Sequence, residues 1–368
     1  MFSDIPTDSG SRLWHSESTQ KPPLRAVFLA QADAATVLKN AHDQTATVWS
    51  GDFHQAKQVL AAVKRRVRRG GPPAKTPADA RDAFHLHRMK QAQQSRLINM
   101  LAVEIGAGLD LDLPRAPHVS AALADALLEG GQPFLLPLNR LLGLIGAHEW
   151  HKKGVWIPAL NDRIHVPFGV FSPIRGEYLE LLMRAALPQG VQTALDLGTG
   201  SGVLAALLAK RGVPHIAATD NNPRAIACAR ANICRLGYER QITLEQTDLF
   251  PAGKADLIVC NPPWLPAKPT SAVETALYDP GHTMLQAFLN GAPRHLNEGG
   301  EIWLVMSDLA ELLHLRPAGF LPDTFRQAGL RVAEILHTHP VHGKAADPAD
   351  PLAFARGRET VSLYRLTT

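Results

Sequence analysis

Two short stretches of the chain contain residue types that could bind a nucleotide-like ligand and act on a nitrogen atom. One is DLGTGSG at residues 196–202, which begins with an acidic residue and contains three glycines. The other is NPPW at residues 261–264, which follows the apolar run ADLIVC. A glycine turn lets a ligand approach the backbone closely, and an amide beside rigid carbonyl groups can accept hydrogen bonds from an amine.

The elements around the glycine turn predict how it is positioned. Thr193 to Leu197 is a short strand-like run, and Val203 to Lys210 is rich in helix formers. A second strand, His215 to Thr219, ends on Asp220. The N-terminus of a helix can bind a polar group, and an acid at the end of the second strand can accept hydrogen bonds from a ribose. This order predicts a nucleotide-type cofactor site.

The spacing of the glycines indicates which cofactor is expected. The turn is GxGxG, and Val203 stands where the dinucleotide fingerprint GxGxxG has its third glycine, which disfavours a dinucleotide-dependent oxidoreductase. DLGTGSG resembles motif I of the class I S-adenosylmethionine (SAM)-dependent methyltransferases. That resemblance implies SAM as the cofactor, with Asp196 and the glycines around its amino acid part, Asp220 at the ribose and Asp248 beside the adenine. The implied cofactor-binding residues are Asp196, Gly198, Thr199, Gly200, Gly202, Asp220, Asn221, Asp248, Leu249 and Asn261.

NPPW resembles the (N/D)PP(Y/F/W) motif of amino-methyltransferases, which methylate nitrogen atoms conjugated to a ring or a carbonyl group. The lone pair of such a nitrogen is delocalised, so the nitrogen is a poor nucleophile. The side-chain oxygen of Asn261 and the backbone carbonyl of Pro262 can accept its two N–H bonds as the transition state forms. The prolines stiffen this array, and an aromatic face can stack on a planar substrate. We therefore expect the catalytic residues to be Asn261, Pro262, Pro263 and Trp264.

The length of 368 residues and the ordinary composition predict a globular protein of two domains. No apolar run is long enough for a transmembrane helix, and the N-terminal residues lack the basic-then-apolar order of a secretory signal, so a cytoplasmic protein without a membrane partner is expected. The three cysteines form no CxxC pair. A hydrophilic turn accounts for His337, His339 and His342, so no metal is expected.

Patterning along the chain predicts three segments. Residues 1–22, rich in Ser, Thr, Asp and Pro, are expected to be flexible, and residues 23–152 to form a mostly helical substrate-recognition domain. Residues 153–368 alternate strands and helices, which predicts an α/β domain. Its resemblance to class I methyltransferases implies a Rossmann-like sheet of seven strands with a C-terminal antiparallel hairpin. The segment FSPIRGEY at 171–178 stands where the release factor glutamine methyltransferases usually read RPETE.

The substrate is predicted less directly. The net charge of +4, the pI of about 9.0 and the basic run HQAKQVLAAVKRRVRR at 54–69 favour RNA, so we expect methylation of an exocyclic amine of an RNA base, in ribosomal RNA. Basic residues at a helix C-terminus also stabilise the helix itself. A glutamine side chain in a translation protein presents the same pair of N–H donors and is the alternative. A non-catalytic RNA-binding protein of the same fold is a third interpretation, which the intact Asp196, Asp220 and Asn261 disfavour.

Overall fold

The structure, a computed structural model, describes residues 1–16, 20–70, 76–174, 176–270, 272–340, 347 and 350–368. The chain divides into two compact units. The first comprises Met1–Glu149 with Thr270–Ala272, and the second comprises Trp150–Pro269 with Val273–Thr368. This division falls near the predicted boundary between residues 152 and 153. In the described ranges, the helices lack the combination of length and apolar character that crossing a membrane requires.

The first unit contains a closed sheet of six strands in the order β1-β2-β6-β5-β4-β3, and pairing of Thr7 with Ala26 closes it. Its strands are β1 (Phe2–Thr7), β2 (Gly10–His15), β3 (Arg25–Leu29), β4 (Thr45–Trp49), β5 (Leu101–Ile105) and β6 (Phe134–Pro137). Its helices are α1 (Ala34–His42), α2 (Phe53–Arg69), α3 (Ala80–Ile98), α4 (Ser120–Asp125) and α5 (Leu138–Lys153), the last of which extends past the division between the units.

Two expectations for this unit are wrong. The segment predicted to be flexible forms the antiparallel hairpin of β1 and β2, and Ile5 and Trp14 from this hairpin are buried. The domain predicted to be mostly helical is built around a sheet. Its strands β3, β4, β5 and β6 are only four or five residues long. Periodicity cannot separate such short apolar runs from pieces of a buried helix, and pairing across the sheet decides between them.

The second unit contains a sheet of seven strands in the order β11-β10-β9-β12-β13-β15-β14, in which β15 is antiparallel to both neighbours. The strands are β9 (Thr193–Leu197), β10 (His215–Asp220), β11 (Ile242–Gln246), β12 (Ala255–Cys260), β13 (Leu296–Ser307), β14 (Arg331–Thr338) and β15 (Val361–Thr367), and the hairpin β7 (Val155–Ile157) and β8 (Asp162–Ile164) precedes them. The helices are α6 (Glu177–Arg184), α7 (Val203–Lys210), α8 (Pro223–Leu236), α9 (Thr283–Gly291), α10 (Leu309–Leu312), α11 (Phe320–Gln327) and α12 (Ala353–Arg356).

Helices cover both faces of this sheet. Leu257 and Val259 of β12 pack into an apolar cluster with residues of α6, α7 and α8, whereas Ile258 and Cys260 pack into a second cluster with residues of α9 and α11. Successive residues of a strand face opposite sides, so a strand buried on both sides is apolar throughout. The expected Rossmann-like α/β fold is confirmed. Because β9 to β12 are parallel, the loops that follow them meet at one edge of the sheet.

Candidate active site

The glycine turn joins β9 to α7 in a conformation that depends on its glycines. Gly198, Gly200 and Gly202 have φ angles of 72°, 55° and 80°, a region that residues with a Cβ adopt at a cost. A Cβ on Gly202 would also lie 3.2 Å from the backbone of Ala229 on α8. Beside Gly200, by contrast, the space at the Cβ position is open. The turn therefore packs tightly against the protein at one end and leaves room for a ligand in its middle.

Asp196 lies beneath this turn and is completely buried. Its Oδ2 accepts hydrogen bonds from Thr199 Oγ1 at 2.6 Å and from the backbone N–H of Ala205 at 3.0 Å. Its Oδ1 has no hydrogen-bond partner among the described residues. Burial raises the pKa of this carboxyl from 3.8 to about 6, against the two hydrogen bonds and with a smaller contribution from Asp220. Asp196 thus offers a buried acceptor that a cationic ligand group would satisfy.

Asp220 ends β10 and faces the same turn. Its Oδ2 accepts a hydrogen bond of 3.0 Å from the backbone N–H of Gly200, and its Oδ1 accepts one of 2.9 Å from Asn222. Each carboxylate oxygen keeps a lone pair for a further donor. The pKa of Asp220 is raised overall, because the effect of burial exceeds that of the two backbone hydrogen bonds, which lower it. The carboxylate is held in a fixed position at the turn, which suits it to bind a pair of hydroxyl groups.

The other predicted cofactor residues contribute differently. Thr199 donates its backbone N–H to the carbonyl of Thr219 at 2.8 Å, which ties the turn to β10. The Leu249 carbonyl accepts a hydrogen bond of 2.6 Å from Thr219 Oγ1, so Leu249 is attached to β10 through its backbone. Asn221 and Asp248 have exposed side chains on the loops after β10 and β11. Their roles toward a cofactor remain predictions.

The register of the sheet brings the two motifs together. Cys260 of β12 pairs with Leu197 of β9, so Asn261 follows directly beside Gly198. At Asn261 the side-chain Oδ1 accepts a hydrogen bond of 3.0 Å from Trp264 Nε1. An indole N–H can only donate, which fixes the amide with its oxygen toward Trp264. The side-chain oxygen that the motif needs as an acceptor is therefore held in place by the motif's own aromatic residue.

Tyr178 of α6 lies near the same amide and is absent from the predicted site. Burial raises the pKa of its hydroxyl, Asp196 contributes in the same direction, and a hydrogen bond with the Asn261 side chain opposes them. The side chains of Tyr178 and Asn261 are therefore close enough to interact inside the protein. The sequence gives no signal for this contact, because Tyr178 occupies an ordinary core position of an amphipathic helix.

Pro262 is buried and Pro263 half-buried in the backbone that leaves β12. No described residue donates a hydrogen bond to the Pro262 carbonyl. Proline fixes φ, so this carbonyl is restricted in the directions that it can take. The Asn261 side-chain oxygen, which has a second lone pair, and the Pro262 carbonyl are the acceptors that the motif would offer to an incoming N–H pair.

A backbone hydrogen bond joins the two ends of the loop that follows Trp264. The backbone N–H of Asp279 donates to the Leu265 carbonyl at 2.9 Å, and the Asp279 carboxylate accepts hydrogen bonds of 3.0 Å from the backbone N–H groups of Met284 and Leu285. Asp279 is therefore the cap of α9. A Cβ on Gly198 would lie 3.4 Å from Met284 Cε, so the start of α9 lies against the glycine turn.

The histidines considered for a metal make other contacts. His337 Nδ1 lies 2.8 Å from Ser362 Oγ, His339 Nδ1 lies 3.2 Å from the Glu359 carbonyl, and His342 lies outside the described residues. Within the described part of the chain, no group of three or more His, Cys, Asp or Glu side chains is arranged to hold a metal ion.

Comparison with known proteins agrees with this arrangement. Residues 162–329 match the family model of the methyltransferase small domain. A Methanocaldococcus jannaschii protein, named as a candidate protein N5-glutamine methyltransferase, is 30% identical over 152 residues, which cover 38% of this chain and 76% of that protein. The chain belongs to the methyltransferase small-domain family. The residues that match the family model include both motifs, from Asp196 to Trp264.

Two further relatives have names that differ in substrate. A release factor glutamine methyltransferase of Cereibacter sphaeroides is 36% identical over 166 residues, which cover 39% of this chain and 60% of that enzyme. Ribosomal RNA small subunit methyltransferase C of Cronobacter sakazakii is 28% identical over 233 residues, which cover 60% of this chain and 65% of that enzyme. The chain thus spans about three fifths of the length of these two relatives.

Proposed function

We propose that this chain is a SAM-dependent N-methyltransferase that acts on an exocyclic amine of a base in RNA, in ribosomal RNA. The observation that carries the proposal is the Asn261 amide, whose oxygen accepts a hydrogen bond from Trp264 and which lies directly beside Gly198. Such an amide is an oriented acceptor for an amine at the edge of a cofactor-type site.

The residues around the glycine turn fit SAM. Asp196 offers a buried oxygen without a partner, the space beside Gly200 is open, and Asp220 is oriented by two backbone N–H groups. A ligand with a cationic amino acid part and a ribose diol has groups that match these two carboxylates. When bound, SAM supplies an electrophilic methyl group. Asn221, Asp248 and Leu249 would complete the site around the nucleoside.

The chain's contribution to catalysis is electrostatic. An exocyclic amine gains positive charge as its lone pair is used, so its N–H groups become stronger donors in the transition state. Asn261 Oδ1 and the Pro262 carbonyl would bind these N–H groups more strongly at that point, and acceptors oriented beforehand need no reorganisation. Pro263 limits movement of the loop, and Trp264 in addition offers a half-buried ring to the substrate.

Methylation of a glutamine side chain in a translation protein is the second candidate. A primary amide presents the same two N–H donors, and the relatives from Cereibacter sphaeroides and Methanocaldococcus jannaschii support it by name. Ribosomal RNA small subunit methyltransferase C supports the RNA substrate and matches the largest share of this chain among the three relatives compared. FSPIRGEY at 171–178 departs from the RPETE usual in the release factor enzymes, which also favours RNA.

Transfer of a labelled methyl group tests the proposal. The purified chain is incubated with tritiated SAM and an extract of a strain that lacks the gene, and the product is digested separately with RNase and with protease. We expect label that RNase releases and protease does not. Release of the label by protease alone would indicate that the substrate is a glutamine side chain in a protein. The Asn261→Ala variant is the control, and we expect its kcat to fall at least about 100-fold with SAM affinity close to normal.

A further inference from the structure

The positive charge of the chain is concentrated on two neighbouring helices of the first unit. Helices α2 and α3 together contain ten of the chain's 38 Lys and Arg residues and one of its 34 Asp and Glu residues, which leaves 28 basic and 33 acidic residues elsewhere. Without these two helices the chain would carry a net charge of −5, whereas the whole chain carries +4. The basic residues are Lys57, Lys64, Arg65, Arg66, Arg68, Arg69, Arg81, Arg88, Lys90 and Arg96.

The two clusters of charge are adjacent. Gln94 Nε2 of α3 donates a hydrogen bond of 3.4 Å to the Val67 carbonyl in the last turn of α2. Arg66 and Arg68 flank Val67 in the chain, and Lys90 lies one helical turn before Gln94. We use the name basic face for the side chains of α2 and α3 that do not pack on the core of this unit.

These cations face solvent. Arg65, Arg66, Arg68 and Arg69 are exposed, whereas Leu60, Val63 and Val67 of the same helix are buried. Helix α3 is unusual, because Phe84 is its one buried residue over 19 positions. Arg65, Arg68 and Arg69 form no ion pair with any described residue. The charge of Arg68 contributes, after burial, to a lowered pKa of Lys64. Among the described residues, no ion pair therefore offsets the repulsion between Arg65, Arg68 and Arg69.

Helix stabilisation explains only part of this pattern. Cations in the last turn of a helix interact favourably with its dipole, and Arg66, Arg68 and Arg69 occupy the last turn of α2. Arg81, Arg88 and Lys90 are not in the last turn of α3 and gain nothing from its dipole. A binding partner that carries many negative charges accounts for both groups.

We propose that the basic face binds the sugar–phosphate backbone of RNA. The two helices are about 25 and 28 Å long, so their cations extend along a row of phosphates. Between the cations, α3 carries Gln91, Gln93, Gln94 and Ser95, residue types that contact phosphate and sugar in nucleic acid complexes. This inference rests on the proposed function, in which RNA is the substrate, and it assigns substrate binding to the first unit.

Salt dependence of RNA binding tests this assignment. Binding of a fluorescein-labelled RNA stem–loop to the full chain is measured without SAM at several salt concentrations. The test variant has four Arg→Gln changes, at Arg65, Arg66, Arg68 and Arg69. We expect its affinity to fall at least about tenfold, and the slope of log K against log salt to become shallower by about 0.7–0.9 for each phosphate that is no longer neutralised. A variant with Lys at the same four positions keeps the charge and should keep most of the slope.

A control variant removes the same charge from the second unit. Its four changes to Gln are at exposed residues near the amino ends of the strands, at the edge of the sheet opposite the candidate active site: Lys210, Arg240, Lys254 and Arg294. We expect binding close to that of the unchanged chain. Should the α2 variant be unstable, the double change Lys90→Gln and Arg96→Gln on α3 provides an independent test, with a smaller loss of slope.

The outcomes separate this inference from the proposed function. Equal slopes for the unchanged chain and the α2 variant would overturn the basic face as an RNA site, even if the chain methylates RNA. If the α2 variant lost binding to ribosomal proteins but kept its binding to RNA, the inference would also be overturned. The basic face would then be assigned to a protein partner. If the α2 variant bound RNA more weakly, and the unchanged chain transferred methyl groups only to protein, the RNA site would be supported and the proposed substrate refuted.

Discussion

The indole Nε1 of Trp264 donates a hydrogen bond of 3.0 Å to Oδ1 of Asn261, three residues before it in the chain. An aromatic residue at the fourth position of the motif is usually considered for its ring. Here its N–H also decides which way the amide of Asn261 points. The ring and the N–H of Trp264 therefore have separate effects, and substitutions at this single position can distinguish them.

Replacement of Trp264 by Phe keeps an aromatic face and removes the donor. We expect kcat to fall about five- to tenfold, because the Asn261 side-chain oxygen loses the bond that orients it, worth about 1 kcal/mol. The KM for substrate should change little if stacking is retained. Steady-state kinetics with saturating SAM measure both. Equal loss of kcat in Trp264→Phe and Trp264→Ala, with no effect on KM in either, would contradict a stacking role for the ring.

Replacement of Tyr178 by Phe removes the buried hydroxyl near the Asn261 side chain. We expect kcat to fall by a factor of about three to ten, because the polar interaction of this hydroxyl with the amide is lost. SAM affinity, measured by calorimetry, should be close to normal. The effects of Tyr178→Phe and Trp264→Phe should not add in the double variant, since both act on the orientation of one side chain. Strict additivity would mean that Tyr178 acts elsewhere.

Replacement of Asp220 by Ala should weaken SAM binding at least about tenfold. The carboxylate is oriented by Gly200 and Asn222, and hydrogen bonds to a charged group contribute about 1.5–3 kcal/mol. At saturating SAM, kcat should change much less than Kd. Glu245→Ala, an exposed change on the neighbouring strand β11, is the control. Unchanged affinity for SAM in Asp220→Ala would refute the assignment of this residue to the ribose.

The buried carboxyl of Asp196 predicts a pH-dependent stability in the absence of SAM. Its pKa is raised to about 6, so the folded state favours the protonated form. The resulting contribution to the unfolding free energy, on the order of 3 kcal/mol, is complete below the unfolded-state pKa near 3.8. It is lost as the pH rises through the folded-state pKa of about 6. Relative to Asp196→Asn, the unchanged chain should lose unfolding free energy between about pH 4 and pH 7. Chemical denaturation across this range measures the difference, and parallel curves for the two proteins would contradict the shift.

Local signals were sufficient for the central strands of the second unit. The glycine turn is flanked by a strand and a helix in the chain itself, and β12 is an apolar run that is followed directly by NPPW, so β9, α7 and β12 could be predicted within a residue or two. The sheet order β11-β10-β9-β12 places β12 beside β9, and the pairing of Leu197 with Cys260 brings Asn261 to the glycine turn.

The remaining parts depend on contacts that no local pattern encodes. Strands β3 and β5 are continuous in sequence with helical runs, and pairing with their neighbours in the sheet makes them strands. Tyr178 contacts Asn261 across 83 positions, and in the sequence it is one more apolar residue of a helix that faces the core. The cap formed by Asp279 was also hidden, because a polar residue in a long loop has many alternative roles.

The hydrogen bond between Asp279 and Leu265 makes the segment between them a loop closed at its base. Its ends are fixed on one side by β12 and on the other by α9, which Asp279 caps. Doubling the length of such a loop adds only about 0.6 kcal/mol of closure entropy. Insertions or deletions between residues 266 and 278 are therefore expected to cost little unfolding free energy and to leave Asn261 in place.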